Sequence, residues 1–152
     1  MNVARYALII LGVFFSLTSF SAELDTCLSA AGRAHRLERE SATSECFSSM
    51  PATTSKEGCY SSLQKFKFLI SSSRLYNQSL NSCFYDSAAH KTIGDCLRDT
   101  KKFASAGDHD EGVFFCYQAF QEKLTQNECI ETAKKMIFPV KRDYLLNHCS
   151  EI

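Results

Sequence analysis

Neither sign of charge prevails in this sequence. Seventeen lysines and arginines stand against seventeen aspartates and glutamates, so nothing pulls the chain as a whole toward nucleic acid or anionic lipid, and DNA or RNA partners are disfavoured. Cys-x-x-Cys, the Cys-x-x-Cys-His haem signature and close Cys/His doublets of zinc spacing are missing, which weakens a metal reading of the cysteines. Glycine-rich phosphate loops, His-Glu-x-x-His and Gly-x-Ser-x-Gly are missing too, and with them the local signatures of nucleotide, zinc-protease and serine-hydrolase chemistry. No cofactor is expected. Beyond the first twenty residues no segment is apolar for long enough to span a bilayer, so stable membrane insertion is not expected.

What is present begins with Arg5, an apolar run from Tyr6 to Leu17 and the small, polar stretch Thr18 to Ala22. This three-part pattern reads as a signal peptide over residues 1–21, cleaved after Ser21 or Ala22. Residues 22–152 then form the expected single domain, secreted or periplasmic. Without Arg5 it carries sixteen basic and seventeen acidic residues. All eight cysteines lie in it, an even number in an exported chain, which implies four disulfides with no thiol left over as a nucleophile.

The cysteines stand at Cys27, Cys46, Cys59, Cys83, Cys96, Cys116, Cys129 and Cys149, separated alternately by long intervals of 19, 24, 20 and 20 residues and by short ones of 13. Copies starting at Cys27, Cys59, Cys96 and Cys129 recur every 32, 37 and 33 residues, the size of one helical hairpin in repeat proteins. Neighbouring residues keep the same period. Leu28, Tyr60, Leu97 or Ile130 follows the first cysteine, and six positions on from that cysteine stands Arg33, Lys65, Lys102 or Lys135. Thr54-x-x-Glu57, Thr92-x-x-Asp95 and Thr125-x-x-Glu128 supply helix-start signals; the first copy offers Asp25-Thr26 instead. Positions 0, 4 and 7 of each copy share a helical stripe, so the first cysteine is expected to face the core.

Breakers divide the long intervals: Ser71-Ser72-Ser73, the glycine-framed run from Gly107 to Gly112, and Pro139, well placed to open a helix. The first copy has only Gly32, and a single helix from Ala30 to Ser49 remains open. The expected fold is all-α, four tandem disulfide-stapled helical hairpins in a solenoid-like or compact array, with each bridge closing inside its own copy. The alternative is an up-and-down bundle of four long helices, bridging Cys46 to Cys59, Cys83 to Cys96, Cys116 to Cys129 and Cys27 to Cys149.

Few residues suggest chemistry. Asp108-His109-Asp110-Glu111 concentrates oxygen and imidazole ligands in an expected loop, a weak site for a divalent cation, without the spacing of a calcium loop. His35, His90 and His148 stand alone. Arg33, Lys65, Lys102 and Lys135 would align about 10 Å apart on stacked hairpins, a basic ladder for an acidic glycan or an acidic protein face. Long bases beside a core stripe also serve simply to cover its edge. Asn77-Gln78-Ser79 is a glycosylation sequon. The expected function is a binding module for a protein or acidic glycan partner, not an enzyme. The competing expectation is a small secreted hydrolase whose acid–base pair the fold assembles from Asp99, Asp108, Asp110, Glu111 or Glu122.

Overall fold

Nineteen residues of straight α-helix would hold Cys27 and Cys46 about 28 Å apart, whereas a disulfide requires Cα atoms within about 7 Å. In the computed structural model, which describes residues 19–151 and side chains from residue 22 on, these Cα atoms are 5.7 Å apart and the sulfurs are bonded. The chain therefore turns between them. Helix α1, Ser19–Arg33, gives way at Ala34 to a turn in which Glu38 and Arg39 donate backbone N–H groups to the His35 carbonyl, and α2, Arg39–Ser48, follows. The unbroken helix left open for the first copy does not form, although no proline stands there to prevent it.

The same logic holds three more times. Helices α3, Lys56–Lys65, and α4, Ser73–Tyr85, are bridged by Cys59–Cys83; α5, Ile93–Thr100, and α6, Ala106–Phe120, by Cys96–Cys116; α7, Gln126–Ala133, and α8, Pro139–Cys149, by Cys129–Cys149. Short 3₁₀ turns at Lys67–Leu69 and Gln121–Lys123 complete an all-helical chain with no strand among the described residues. Each bridge joins the first helix of a pair to the second, and no described cysteine is free. The long-helix bundle falls with its bridges, since Cys46 and Cys59 each have another partner. No helix among the described residues is long and apolar enough to cross a membrane. The signal-peptide stretch up to residue 18 lies outside them.

Helix starts follow their caps. Ser72 accepts from the Leu75 N–H, Thr92 from Asp95 and Thr125 from Glu128, the last with the reciprocal Glu128 to Thr125 bond of a full capping box. Pro139 opens α8 as expected. Two signals resolve differently. The cap of α3 is Ser55, accepting from Gly58, while Thr54 turns into the interior and is fully buried. Asp25-Thr26 lies inside α1 and caps nothing.

The chain divides into two compact units, the first ending at Ala89 and the second starting at His90. In the first, α1 packs on α2 and α3, and α4 on α2 and α3. Leu24, Leu28, Phe47, Leu63, Leu80 and Phe84 fill its core. In the second, α6 packs on α5 and α7, and α7 on α8, around Val113, Tyr117, Ala133, Met136 and Leu145. The inward stripe is as read from the periodicity in two copies, where Cys59, Leu63 and Phe66 are buried, as are Cys129, Ala133 and Met136. In the third Cys96 and Thr100 are buried and Phe103 half-buried, and in the first the buried row is Leu24, Leu28 and Ala31, which leaves Cys27 and Ala34 half-buried.

Candidate functional site

The glycine-framed acidic run is not a loop. Residues 101–105 supply the turn, Ser105 caps α6 by accepting from Gly107 and Asp108, and Asp108 to Glu111 form the first turns of the helix. Gly112 sits where α6 meets the preceding turn: a Cβ there would lie 2.9 Å from Phe103 Cε2 and 3.1 Å from Thr100 Cγ2. The glycine marks close packing rather than a break, which is why the sequence pattern misled.

A helix sends the four polar residues of this run in different directions. Asp110 is wholly buried and reaches the start of α8, where its carboxylate accepts the backbone N–H groups of Ile137 at 2.8 Å and Phe138 at 2.9 Å. The residue before α8, Phe138, has no side chain able to cap; Asp110 instead fixes the two residues that lead into the helix, from 27 and 28 residues away, and sets its charge near the helix's amide end. His109 Nδ1 lies 3.1 Å from the same carboxylate. Loss of water raises the Asp110 pKa, but the two backbone donors and His109 outweigh it, and the carboxyl sits below its ordinary value. Glu111 points outward to an ion pair with Lys141 of α8. Among the described residues no three His, Cys, Asp or Glu side chains gather into a metal-binding group.

The ion pair stands at the edge of a 320 Å³ pocket between α6 and α8, whose apolar lining is Phe114, Met136, Val140 and Tyr144. Of this lining Val140 and Tyr144 are exposed, Val140 at 82%, as are Ile137 and Phe138 just before α8 in the chain. Phe114 and Tyr144 hold ring centroids 6.1 Å apart, and Tyr144 meets His148 at 4.5 Å with the rings tilted by 44°. Sequence reasoning carried α8 from Val140 to Cys149 through Tyr144 and Leu145 without separating its buried row from its exposed one. Its second apolar row, Val140 and Tyr144 at i, i+4, was the available signal.

The basic positions share one structural setting. Arg33 and Lys65 end α1 and α3, while Lys102 and Lys135 stand two residues beyond α5 and α7, places where positive charge complements the helix dipole. Lys65 bonds Asp25 at 2.5 Å, with Ser62 on the other carboxylate oxygen. Burial alone would raise the Asp25 pKa, but Lys65 and Ser62 bring it below the ordinary value. Lys102 pairs with Asp99, which lies 3.6 Å from His90. Of the remaining carboxylates named for acid–base work, Asp108 is half-buried on α6 and Glu122 is exposed in the second 3₁₀ turn. The structure brings Asp110 and Glu111 to the α6–α8 seam and leaves Asp99 beside His90 and Lys102.

The chain matches no protein-family model, no curated protein and no solved structure.

Proposed function

We propose that this chain is an exported binding protein whose second unit captures an apolar side chain of a partner protein in the pocket between α6 and α8. The carrying observation is that Val140 and Tyr144 stand exposed in a concave, largely apolar lining shared with Phe114 and Met136, with Ile137 and Phe138, just before them in sequence, exposed as well. Soluble surfaces leave such patches open mainly where something docks. Glu111 and Lys141, paired at the pocket's edge, supply a polar rim of the kind that protein interfaces carry around an apolar centre. Export is supported by the four bridges, which persist in oxidising compartments, and by the signal-like pattern of residues 1–21.

Selection of random peptides on the immobilised, oxidised protein tests this reading. Selected peptides should share an aromatic or branched aliphatic anchor, and their affinity, measured by titration calorimetry, should fall about tenfold or more with Val140→Asp, which sets a charge in the apolar lining. Peptides that bind wild type and Val140→Asp equally, or a selection that enriches none, would remove the pocket as the functional surface.

A further inference from the structure

The even balance of charge in the first unit conceals a strong segregation. Residues 22–89 hold seven bases and seven acids. One base, Lys56, is buried against the end of α4. The other six, Arg33, Arg36, Arg39, Lys65, Lys67 and Arg74, all stand in the two turn segments 33–40 and 65–74, which contain only two acids, Glu38 and Glu40. Those segments lie side by side. Helix α2 packs on the 3₁₀ turn Lys67–Leu69, the Ser71 hydroxyl donates to the Glu40 carboxylate, and a Cβ at Gly32 would touch Leu69. The unit is neutral in sum and basic at one end.

Among the described residues, the same end bears both large apolar side chains that the first unit leaves well exposed, Leu37 at 86% and Phe68 at 76%. Each is put there by its turn. Residues three apart share a side of a 3₁₀ turn, so Phe66 and Leu69 go inward together and Phe68 is left facing water. Leu37 stands inside the turn that the His35 carbonyl closes by accepting from Glu38 and Arg39. Apolar residues exposed singly are ordinary; here two stand on neighbouring turns amid all of the unit's exposed basic charge.

We propose that this end of the first unit docks on an anionic lipid surface, Leu37 and Phe68 entering the headgroup layer while the bases around them meet lipid phosphates. Lys65 is already engaged by Asp25. Arg33, Arg36, Lys67 and Arg74 pair with no carboxylate among the described residues, which leaves their charge to an external anion. Basic side chains gain from the negative potential of such a surface, and an interfacial anchor adds to it the burial of apolar area. Docking of this kind needs no membrane-spanning helix. A second copy is a poor occupant, since it would bring two basic ends together. A rigid protein face would have to match two prongs on separate turns, whereas a headgroup layer yields to any spacing.

Flotation of the oxidised, exported chain with lipid vesicles tests the site. Binding to phosphatidylcholine containing about 30 mol% phosphatidylglycerol should exceed binding to phosphatidylcholine alone by about tenfold or more, and should weaken as salt rises from about 0.05 to about 0.5 M. Leu37→Asp with Phe68→Asp, and separately Arg36→Glu with Lys67→Glu, should each lower it by about tenfold or more. All four side chains are exposed, so melting should stay near wild type. The sequence has no tryptophan; Phe68→Trp therefore adds a lone reporter, whose emission should move to shorter wavelength on anionic vesicles and be quenched by brominated lipid. No preference for anionic vesicles, binding that survives both double variants, or unmoved emission from bound Phe68→Trp protein would each overturn the proposal. Binding to polyglutamate without binding to vesicles would overturn it too, and assign this end to an acidic protein face.

Discussion

Each of the two units buries one charged side chain against a helix end, and they choose opposite ends. In the first, Lys56 is 7% exposed and donates to the Phe84 carbonyl at 2.6 Å, the Cys83 carbonyl at 3.3 Å and Ser87 Oγ at 3.1 Å, all at the C-terminal end of α4. In the second, Asp110 accepts two N–H groups at the start of α8. A cation at the carbonyl end and an anion at the amide end both follow the helix dipole. Lys56 is the more telling case, because it opens its own helix α3, where a positive charge opposes the dipole. Its place is explained by α4 and not by the segment it belongs to. Both units therefore tie a disulfide-bridged element with a buried, charged long-range contact, which local sequence signals do not report.

The largest expected effect tests whether the bridges contribute alike. In the chain-entropy treatment, loops of 24 and 20 residues stabilise by about 3.5 and 3.3 kcal/mol. Replacing Cys59 and Cys83 together by alanine should cost nearly the same as replacing Cys129 and Cys149, read by urea unfolding of each double variant. A loss under about 1 kcal/mol in one unit and over 3 in the other would show that the units rely on their bridges unequally.

Reading the covalent frame from the sequence worked because disulfides, caps and proline act over short distances or repeat with a period. The cysteine alternation gave all four pairs, Thr92 and Thr125 marked helix starts, and Pro139 opened α8. The first-copy turn at 34–38 had no breaker to announce it; only the bridge from Cys27 to Cys46 demands it. Asp110 was read as part of a polar loop because its partners, Ile137 and Phe138, stand 27 and 28 residues on. Thr54 was read as a cap because it stands next to the serine that does cap. The expected run of solvated charge and glycine proved to be a helix whose acid and glycine are both specified by tertiary contacts.

The second test sets the two buried charges against each other. Asp110→Asn keeps the shape but turns an amide toward one of two N–H groups for which no other acceptor is seen, and should cost about 2 kcal/mol. Lys56→Met should cost less, about 1 kcal/mol, because the Cys83 carbonyl keeps its 2.5 Å bond from Ser87 Oγ and the variant no longer buries a charge. Acid separates them further. The Asp110 carboxyl titrates below its ordinary value in the folded chain, so its contribution is complete above the unfolded value near about pH 4 and is lost as pH falls through the folded one. The gap in melting temperature between wild type and Asp110→Asn should thus narrow below about pH 4. Asp25, Glu128 and Glu131 are also held low, which is why the difference from the variant, and not the wild-type curve alone, isolates Asp110. A gap that stays constant down to about pH 2 would mean the carboxylate charge does not hold the start of α8.

The smallest effect compares one helix glycine from each unit and should change sign between them. An alanine Cβ at Gly32, near the end of α1, would meet Leu69 Cδ2 at 3.5 Å, ordinary contact. Gly32→Ala then gains helix propensity and should stabilise by about 0.5–1 kcal/mol. At Gly112 the same propensity gain meets Phe103 Cε2 at 2.9 Å and Thr100 Cγ2 at 3.1 Å. Phe103 answers as a rigid ring. Thr100 is buried and pinned by its hydroxyl bond to the Leu97 carbonyl at 2.8 Å, so its methyl cannot rotate away without losing that bond. Overpacking of this kind costs about 1–3 kcal/mol, enough to reverse the gain and leave Gly112→Ala destabilised by about 1 kcal/mol. Thermal unfolding of the two variants under the same conditions decides it. If both melt above wild type, the contact between α6 and the end of α5 is looser than these distances imply, and the glycine at 112 serves some purpose other than close approach.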